Sequence, residues 1–313
     1  MSFLLSIEGA IAQGILWSIM TLGVYLTFRL LNFADMTVDG SFATGGAVAA
    51  VTVNGGMNPL LSLLLALLAG ILCGAITGFL NTKLKIPALL AGILTEIALY
   101  SINIRILGGP NVSLLNVGTV FSKVSSTLGC DATVSNLIVG GLFVAVMIAA
   151  MYWFFGTEVG CAIRATGNNE YMVRAFGVNT NTMVMIGLMI SNGLVSLSGG
   201  LVAQSQGYGD VSMGIGTIVV GLASLIIGEV LFGNRFNFVY KLCSIIVGSI
   251  IYRIIIALVL NLGLPSSDLK LLTAIIVAIA LSVPVIVKKI PGKAAVMNDL
   301  DESDRDPDEI ASK

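Results

Sequence analysis

The sequence has 313 residues, of which 56% are hydrophobic and only 11% charged, with a formal net charge of −1. A water-exposed surface cannot be built from that balance, and a near-neutral chain has no reason to bind nucleic acid or another polyanion. Histidine is absent, which removes the commonest metal ligand and general base. The four cysteines, Cys73, Cys130, Cys161 and Cys243, form no CxxC pair, so neither a zinc nor a redox site is expected.

The apolar residues fall into runs at about 8–28, 40–53, 59–80, 87–107, 135–155, 183–203, 213–232, 239–260 and 269–287. Most are near 20 residues, the length with which a helix crosses roughly 30 Å of hydrocarbon. Barrel strands would show short alternating segments, and these are missing. The expectation is an all-α polytopic membrane protein with about eight or nine transmembrane segments, since lipid offers the backbone no other partner. The first run follows no basic region and precedes no small-residue cleavage site, so it reads as a retained helix. The second run, only about 14 residues, is too short to span and is expected to be a half-helix or part of a broken one.

Lysine and arginine set the orientation. With 156–182 in the cytoplasm, Arg29, Lys83, Lys85, Arg164, Arg174, Arg235, Lys241, Lys288, Lys289, Lys293, Arg305 and Lys313 all face that side. Arg105, Lys123, Arg253 and Lys270 lie elsewhere, so the positive-inside rule places the N-terminus outside and the C-terminus in the cytoplasm. The acidic stretch Asp299–Glu309 cannot bury apolar surface and is expected to be disordered. The chain therefore divides into a transmembrane domain over 1–298 and an acidic cytoplasmic tail over 299–313.

An internal echo follows. Phe33-Ala34-Asp35-Met36-Thr37-Val38 returns in type as Tyr208-Gly209-Asp210-Val211-Ser212-Met213, each before a glycine-rich apolar stretch. The first copy enters its segment from the cytoplasm and the second from outside, the signature of an inverted-topology repeat with halves 8–107 and 183–287. Broken helices at a repeat interface expose backbone groups to a solute, which makes Asn32, Asp35, Thr37, Asp39, Gln204, Gln206, Asp210 and Ser212 candidates for a translocation pathway. Helix capping is the alternative role for Asp35 and Asp210. Glu96 and Arg253 lie deep in apolar runs, where an ionised group needs a partner or a function. Glu229 is expected to meet Arg235 or an arginine of the 156–182 loop. The long loop 108–134 reads equally as a docking surface or a plain connection.

Segment 156–182 is too long for a simple helix connector. Gly167 and Gly177 punctuate what read as two brief helices, with Ile163, Met172, Val173 and Phe176 as an apolar stripe. Such a helix lies on the membrane or docks into a partner's groove. Gly160, Arg164, Ala165, Asn168 or Asn169, Ala175, Gly177 and Val178 fill a Gly-x-x-x-Arg-Ala, Asn, Ala-x-Gly pattern that resembles the coupling segment of ABC-importer permeases of the branched-chain amino acid and ribose type. Arg174 supplies a second charge there. Leu31-Asn32-Phe33-Ala34-Asp35 is similar to the same family's Asn-Phe-Ala signature, although Asp35 stands where that family usually has His or Gly.

The resemblance covers about 8–290 and is closest to a branch linked to amino acid uptake, aromatic amino acids included. It implies a bacterial cytoplasmic membrane location and a pair of permease copies, with a homodimer expected. It also implies cytoplasmic ATPase subunits docked on the coupling segment, and an extracytoplasmic substrate-binding protein. ATP and Mg would be bound by the partner subunit, with no cofactor in this chain, which has no GxxxxGK[ST] phosphate loop. Two alternatives remain: an ion-coupled secondary transporter using Glu96 or Asp35, and an ABC importer of a sugar or nucleoside. No Ser/His, HExxH or paired-Asp arrangement supports an intramembrane enzyme.

Overall fold

The computed structural model describes residues 2–115, 117–232 and 237–261, with isolated positions between 271 and 282. Most of the ninth apolar run, the acidic tail, Arg235, Lys270 and the basic residues from Lys288 onward lie outside the described residues. In chain order the elements are α1 (Ser2–Tyr25), continued by a π turn (Leu26–Leu30), α2 (Thr37–Asn54), α3 (Pro59–Thr82), α4 (Ala88–Leu107) and β1 (Asn111–Ser113). There follow α5 (Val120–Leu128), α6 (Ala132–Phe155), α7 (Glu158–Asn168), α8 (Glu170–Ala175) and α9 (Thr180–Gln206). The last are β2 (Tyr208–Asp210), a 3₁₀ turn (Val211–Gly214), α10 (Thr217–Phe232) and α11 (Phe238–Asn261). Among the described residues seven helical stretches are long and apolar enough to cross a membrane, and α2 is not one of them.

Small residues decide how these helices pack. One face of α3 carries Leu60, Leu61, Leu64, Leu68, Leu72 and Ile76, all exposed as a lipid-facing stripe should be. The opposite face carries Gly70, Gly74 and Gly78, one per helical turn. A Cβ on Gly70 would stand 2.2 Å from the carbonyl oxygen of Asn192, and one on Gly74 2.3 Å from that of Leu188. Close backbone approach through small-xxx-small spacing is the usual route to helix association in lipid, which gives no hydrophobic drive between helices. The central helices α1 and α9 are the most enclosed of the spanning stretches.

Two interruptions shape the interior. After the π turn the chain doubles back through Leu31–Met36, with Asn32 in the left-handed region at φ 50°. Asp35 Oδ1 then accepts the Thr37 amide at 2.9 Å and starts α2. The second interruption begins where Gly207, φ +77°, ends α9. β2 pairs antiparallel with β1, and Asp210 Oδ1 accepts the Ser212 amide at 2.6 Å. The two aspartates of the sequence echo thus make the same i to i+2 bond.

The spacing that separates Asp35 from Asp210 recurs throughout the packing. It relates Asp39 to Gly214, which touch: a Cβ on Gly214 would lie 2.0 Å from the Asp39 carbonyl oxygen. It relates Leu16 to Ser191 and Gly23 to Ser198, and the hydroxyls of Ser198 and Ser191 donate to Leu16 O and Gly23 O at 2.8 and 2.7 Å. It also relates the pair Gly14 and Ser249, bonded at 3.0 Å, to the pair Met189 and Gly74, which pack backbone to backbone.

The bundle has two distinct ends. At one, Gly167 of α7 lies on Leu30, Lys85 Nζ donates to Asn181 Oδ1 at 3.4 Å, and the Arg164 guanidinium lies over the Phe238 ring. Arg29, Lys83, Arg174 and Lys241 belong to the same end. At the other, Gln204 joins the start of α3 to the start of α5.

Two expectations are corrected. Gly167 does not separate two helices: it lies inside α7, where its missing side chain lets α7 pack on Leu30, a Cβ there standing 1.9 Å from Leu30 O. The break falls instead at Asn169, whose side chain accepts the Met172 amide. Glu229 is met by Arg29 rather than by a loop arginine, because the π turn carries Arg29 to the C-terminal end of α10, where Nε and Nη2 donate to the carboxylate at 2.9 and 2.5 Å; the expected partner Arg235 lies outside the described residues. The 108–134 loop is partly structured, with β1 and with α5 seated on the bundle by buried Phe121.

Candidate functional site

α2 and the second interruption meet at Asp39. Its carboxylate accepts from the amides of Gly216 and Ile218 at 2.7 and 2.8 Å and from the Thr217 hydroxyl at 2.8 Å. Asp39 on α2 is therefore the N-terminal cap of α10, where its negative charge also complements the helix dipole. Gly216, at φ +85°, supplies the left-handed backbone that turns its amide toward the carboxylate.

Asp35 lies deeper, 1% exposed. Besides the Thr37 amide it accepts Asn192 Nδ2 at 2.8 Å, and Asn192 Oδ1 in turn accepts the Ser41 hydroxyl at 2.6 Å. Thr37, Thr77 and Thr95 form a hydroxyl chain beside it, with links of 2.7 and 3.0 Å. Asp35 is thus held by uncharged donors, one of them the first amide of α2.

Next to Asp39 a cleft of about 420 Å³ opens on the face shared by α2, α4 and the 3₁₀ turn, and its polar lining is Asp39, Glu96, Tyr100, Ser101 and Asn103. Glu96 is half-buried and makes no hydrogen bond among the described residues. Asn103 is 1% exposed; its Nδ2 donates to Gly40 O at 3.5 Å, and its Oδ1 has no partner. Of the residues singled out in the sequence, the cleft brings together Asp39 and Glu96. Tyr100, Ser101, Asn103 and Asn192 were missed. The available signal was the helical period, since Asn103 follows Glu96 by seven positions and shares its side of α4.

The remaining candidates sit elsewhere. Gln204 is consumed by structure: Nε2 donates to Pro59 O and Ser62 Oγ at 3.1 and 2.8 Å, and Oε1 accepts the Val120 amide at 3.1 Å. Gln206 closes α9, while Asp210 and Ser212 lie in the second interruption. Asn32 is exposed at the opposite end of the bundle. Arg253 stacks on Trp17, its guanidinium 3.8 Å from the ring centroid, and Arg253 Nε and Trp17 Nε1 are both buried without a partner.

The segment 156–182 folds onto the cation-rich end. Gly160 packs against Phe154 O, and buried Ile163 and Val173 anchor α7 and α8. Arg164 Nη2 donates to Phe155 O at 3.1 Å, satisfying the end of α6. Arg174 pairs with Glu170, and its Nε donates to Thr180 Oγ1 at 2.8 Å. Both arginines therefore bind their own chain. The expected apolar stripe splits: Ile163 and Val173 point inward, while Met172 and Phe176 turn outward with Tyr171, the last two 79% and 84% exposed. Asn168, Ala175 and Gly177 are exposed and Ala165 is half-buried, with Gly177 at φ +82° ending α8. Among the described residues no group of three or more His, Cys, Asp or Glu side chains could hold a metal ion.

Apolar spanning helices around two interrupted ones, with a polar cleft where the interruptions meet, define a multi-pass membrane protein of the transporter class. The chain belongs to the family described as branched-chain amino acid transport system, permease component, whose model matches residues 6–282. It is 40% identical over 271 residues to the tyrosine transport system permease protein of Clostridioides difficile (strain R20291), covering 87% of this chain and 88% of that one. It is 34% identical over 276 residues to an uncharacterized protein of Rickettsia prowazekii (strain Madrid E), covering 87% and 95%. Among solved structures, PsaBC from Streptococcus pneumoniae in complex with Fab aligns with a TM-score of 0.49 at 19% identity, over 90% of this chain and 91% of that one.

Proposed function

We propose that this chain is the membrane-spanning subunit of an ATP-driven importer, in a bacterial cytoplasmic membrane, for an amino acid of the aromatic class. The family assignment and the 40% identity to a tyrosine transport system permease support the solute class. Residues 8–107 and 183–287 are inverted halves, a reading supported by the matching aspartate bonds and by the equally spaced packing pairs. The cation-rich end is cytoplasmic by the positive-inside rule, with the C-terminus on that side. Two copies pair, ATPase subunits carrying ATP and Mg dock on the cytoplasmic end, and a binding protein delivers the solute from outside.

The observation that carries this reading is the form of α7 and α8. A segment clamped to the bundle through Gly160, Gly167, Ile163 and Val173 moves with it as one body, yet presents Tyr171, Met172 and Phe176 to the cytoplasm. Large apolar and aromatic side chains left outside on a rigid element are what a docked partner buries at its hot spots.

The test is co-purification with the ATPase. Tyr171→Asp with Phe176→Asp is expected to abolish capture of the ATPase subunit while the detergent-purified permease elutes and melts as wild type. Retained capture with a wild-type melting profile would contradict the docking role.

A further inference from the structure

We infer that the cleft between Glu96, Asp39 and Asn103 is a subsite for the ammonium group of the translocated solute. The inference rests on the reading of the chain as an amino acid permease and names which end of the solute the membrane-embedded cleft holds.

The argument is one of unmatched polarity. No lysine or arginine lines the cleft. Asp39 already has its charge set against the first turn of α10 through three hydrogen bonds. Glu96 has no such partner among the described residues. Asn103 donates its amide hydrogen to Gly40 O, which leaves Oδ1, an acceptor buried without a donor. Orphaned buried acceptors are costly and uncommon in native structures. A ligand that relieves this wall must bring several N–H donors and positive charge in a small head, as a primary ammonium does. A carboxylate would face two like charges and gain only hydroxyl donors from Ser101 and Tyr100. Tyr100, one helical turn beyond Glu96 and 54% exposed, adds an aromatic wall that favours a cation or a flat ring. The volume of about 420 Å³ lies within the range of small-molecule sites.

The test uses the full-length chain in nanodiscs without any ATPase, so failure of ATPase docking leaves its result unchanged. The probes are tyramine, which keeps the ammonium and lacks the carboxylate, and 3-(4-hydroxyphenyl)propionate, which does the reverse. Tyramine is expected to bind saturably, the propionate not at all. Glu96→Gln, nearly isosteric, should weaken tyramine by about tenfold or more, as loss of a charge-assisted bond does. Asn103→Leu, which removes the buried acceptor, should weaken it as well. Tyramine binding indifferent to Glu96→Gln, or equal binding of the propionate, would overturn the assignment. So would sodium displacing tyramine at concentrations where choline does not, which would mark a metal-cation site. A shift of the monomer–dimer balance in Glu96→Gln with tyramine binding intact would assign the cleft to subunit pairing instead.

Discussion

Gly45 shows at one residue how this bundle is specified. A Cβ there would stand 1.8 Å from Ser196 O, while one on Gly141 would meet nothing within 4 Å. Gly45→Val is therefore expected to force α2 and α9 apart and lower the detergent melting temperature, at a cost of about 1–3 kcal/mol or more, the scale of overpacking. Gly141→Ala should stay within about 0.5 kcal/mol of wild type, as changes away from packing features do. Asp39→Ala removes the cap of α10 and should cost about 1–2 kcal/mol, read by the same melting curve. The sequence marks the Gly45-Gly46-Ala47 stretch as unusual, but the partner that its missing side chains admit is a matter of register between distant helices. For the same reason the aspartates were legible as candidates and the helical period pointed to Asn103, while the orphaned Oδ1 depends on Gly40 O taking the other edge of its amide.

At the scale of elements, hydrophobic run length carries most of the information, because in hydrocarbon an apolar run of about 20 residues has no option but to be a helix. The second run, about 14 residues by hydropathy, is an 18-residue helix in the structure, because α2 begins at Thr37, just after Asp35 accepts its amide, ahead of the apolar stretch. Pairings between element ends are less legible, since they depend on where each helix stops. The π turn is what brings Arg29 to Glu229, and nothing in Leu26–Leu30 announces it. With side chains 56% and 23% exposed, that pair is expected to contribute only about 0–1 kcal/mol to stability. A double-mutant cycle with Arg29→Glu and Glu229→Arg checks this: each single change should lower the melting temperature slightly, and the pair together should recover it. Likewise, the arginines of the 156–182 segment resemble docking charges in sequence, yet Arg164 and Arg174 are engaged by Phe155 O and by Glu170 and Thr180. The outward surface belongs to Tyr171, Met172 and Phe176.

At the scale of the molecule, the chain places its interruptions together in the interior and α7 and α8 at the cation-rich end. Asp39 touches Gly214 across the meeting point of the two interruptions, so a displacement of either interruption is felt at the cleft. A force applied to α7 and α8 reaches the bundle through Gly167 on Leu30, directly before the first interruption. Reconstitution into proteoliposomes tests this most directly. Tyrosine uptake should be absent when the chain is alone, under proton or sodium gradients of either sign, and should appear when the ATPase subunit, the binding protein and ATP are all supplied. Uptake by the purified chain alone, driven by an ion gradient, would contradict an ATP-driven permease and make Glu96 the coupling-ion site of a secondary transporter.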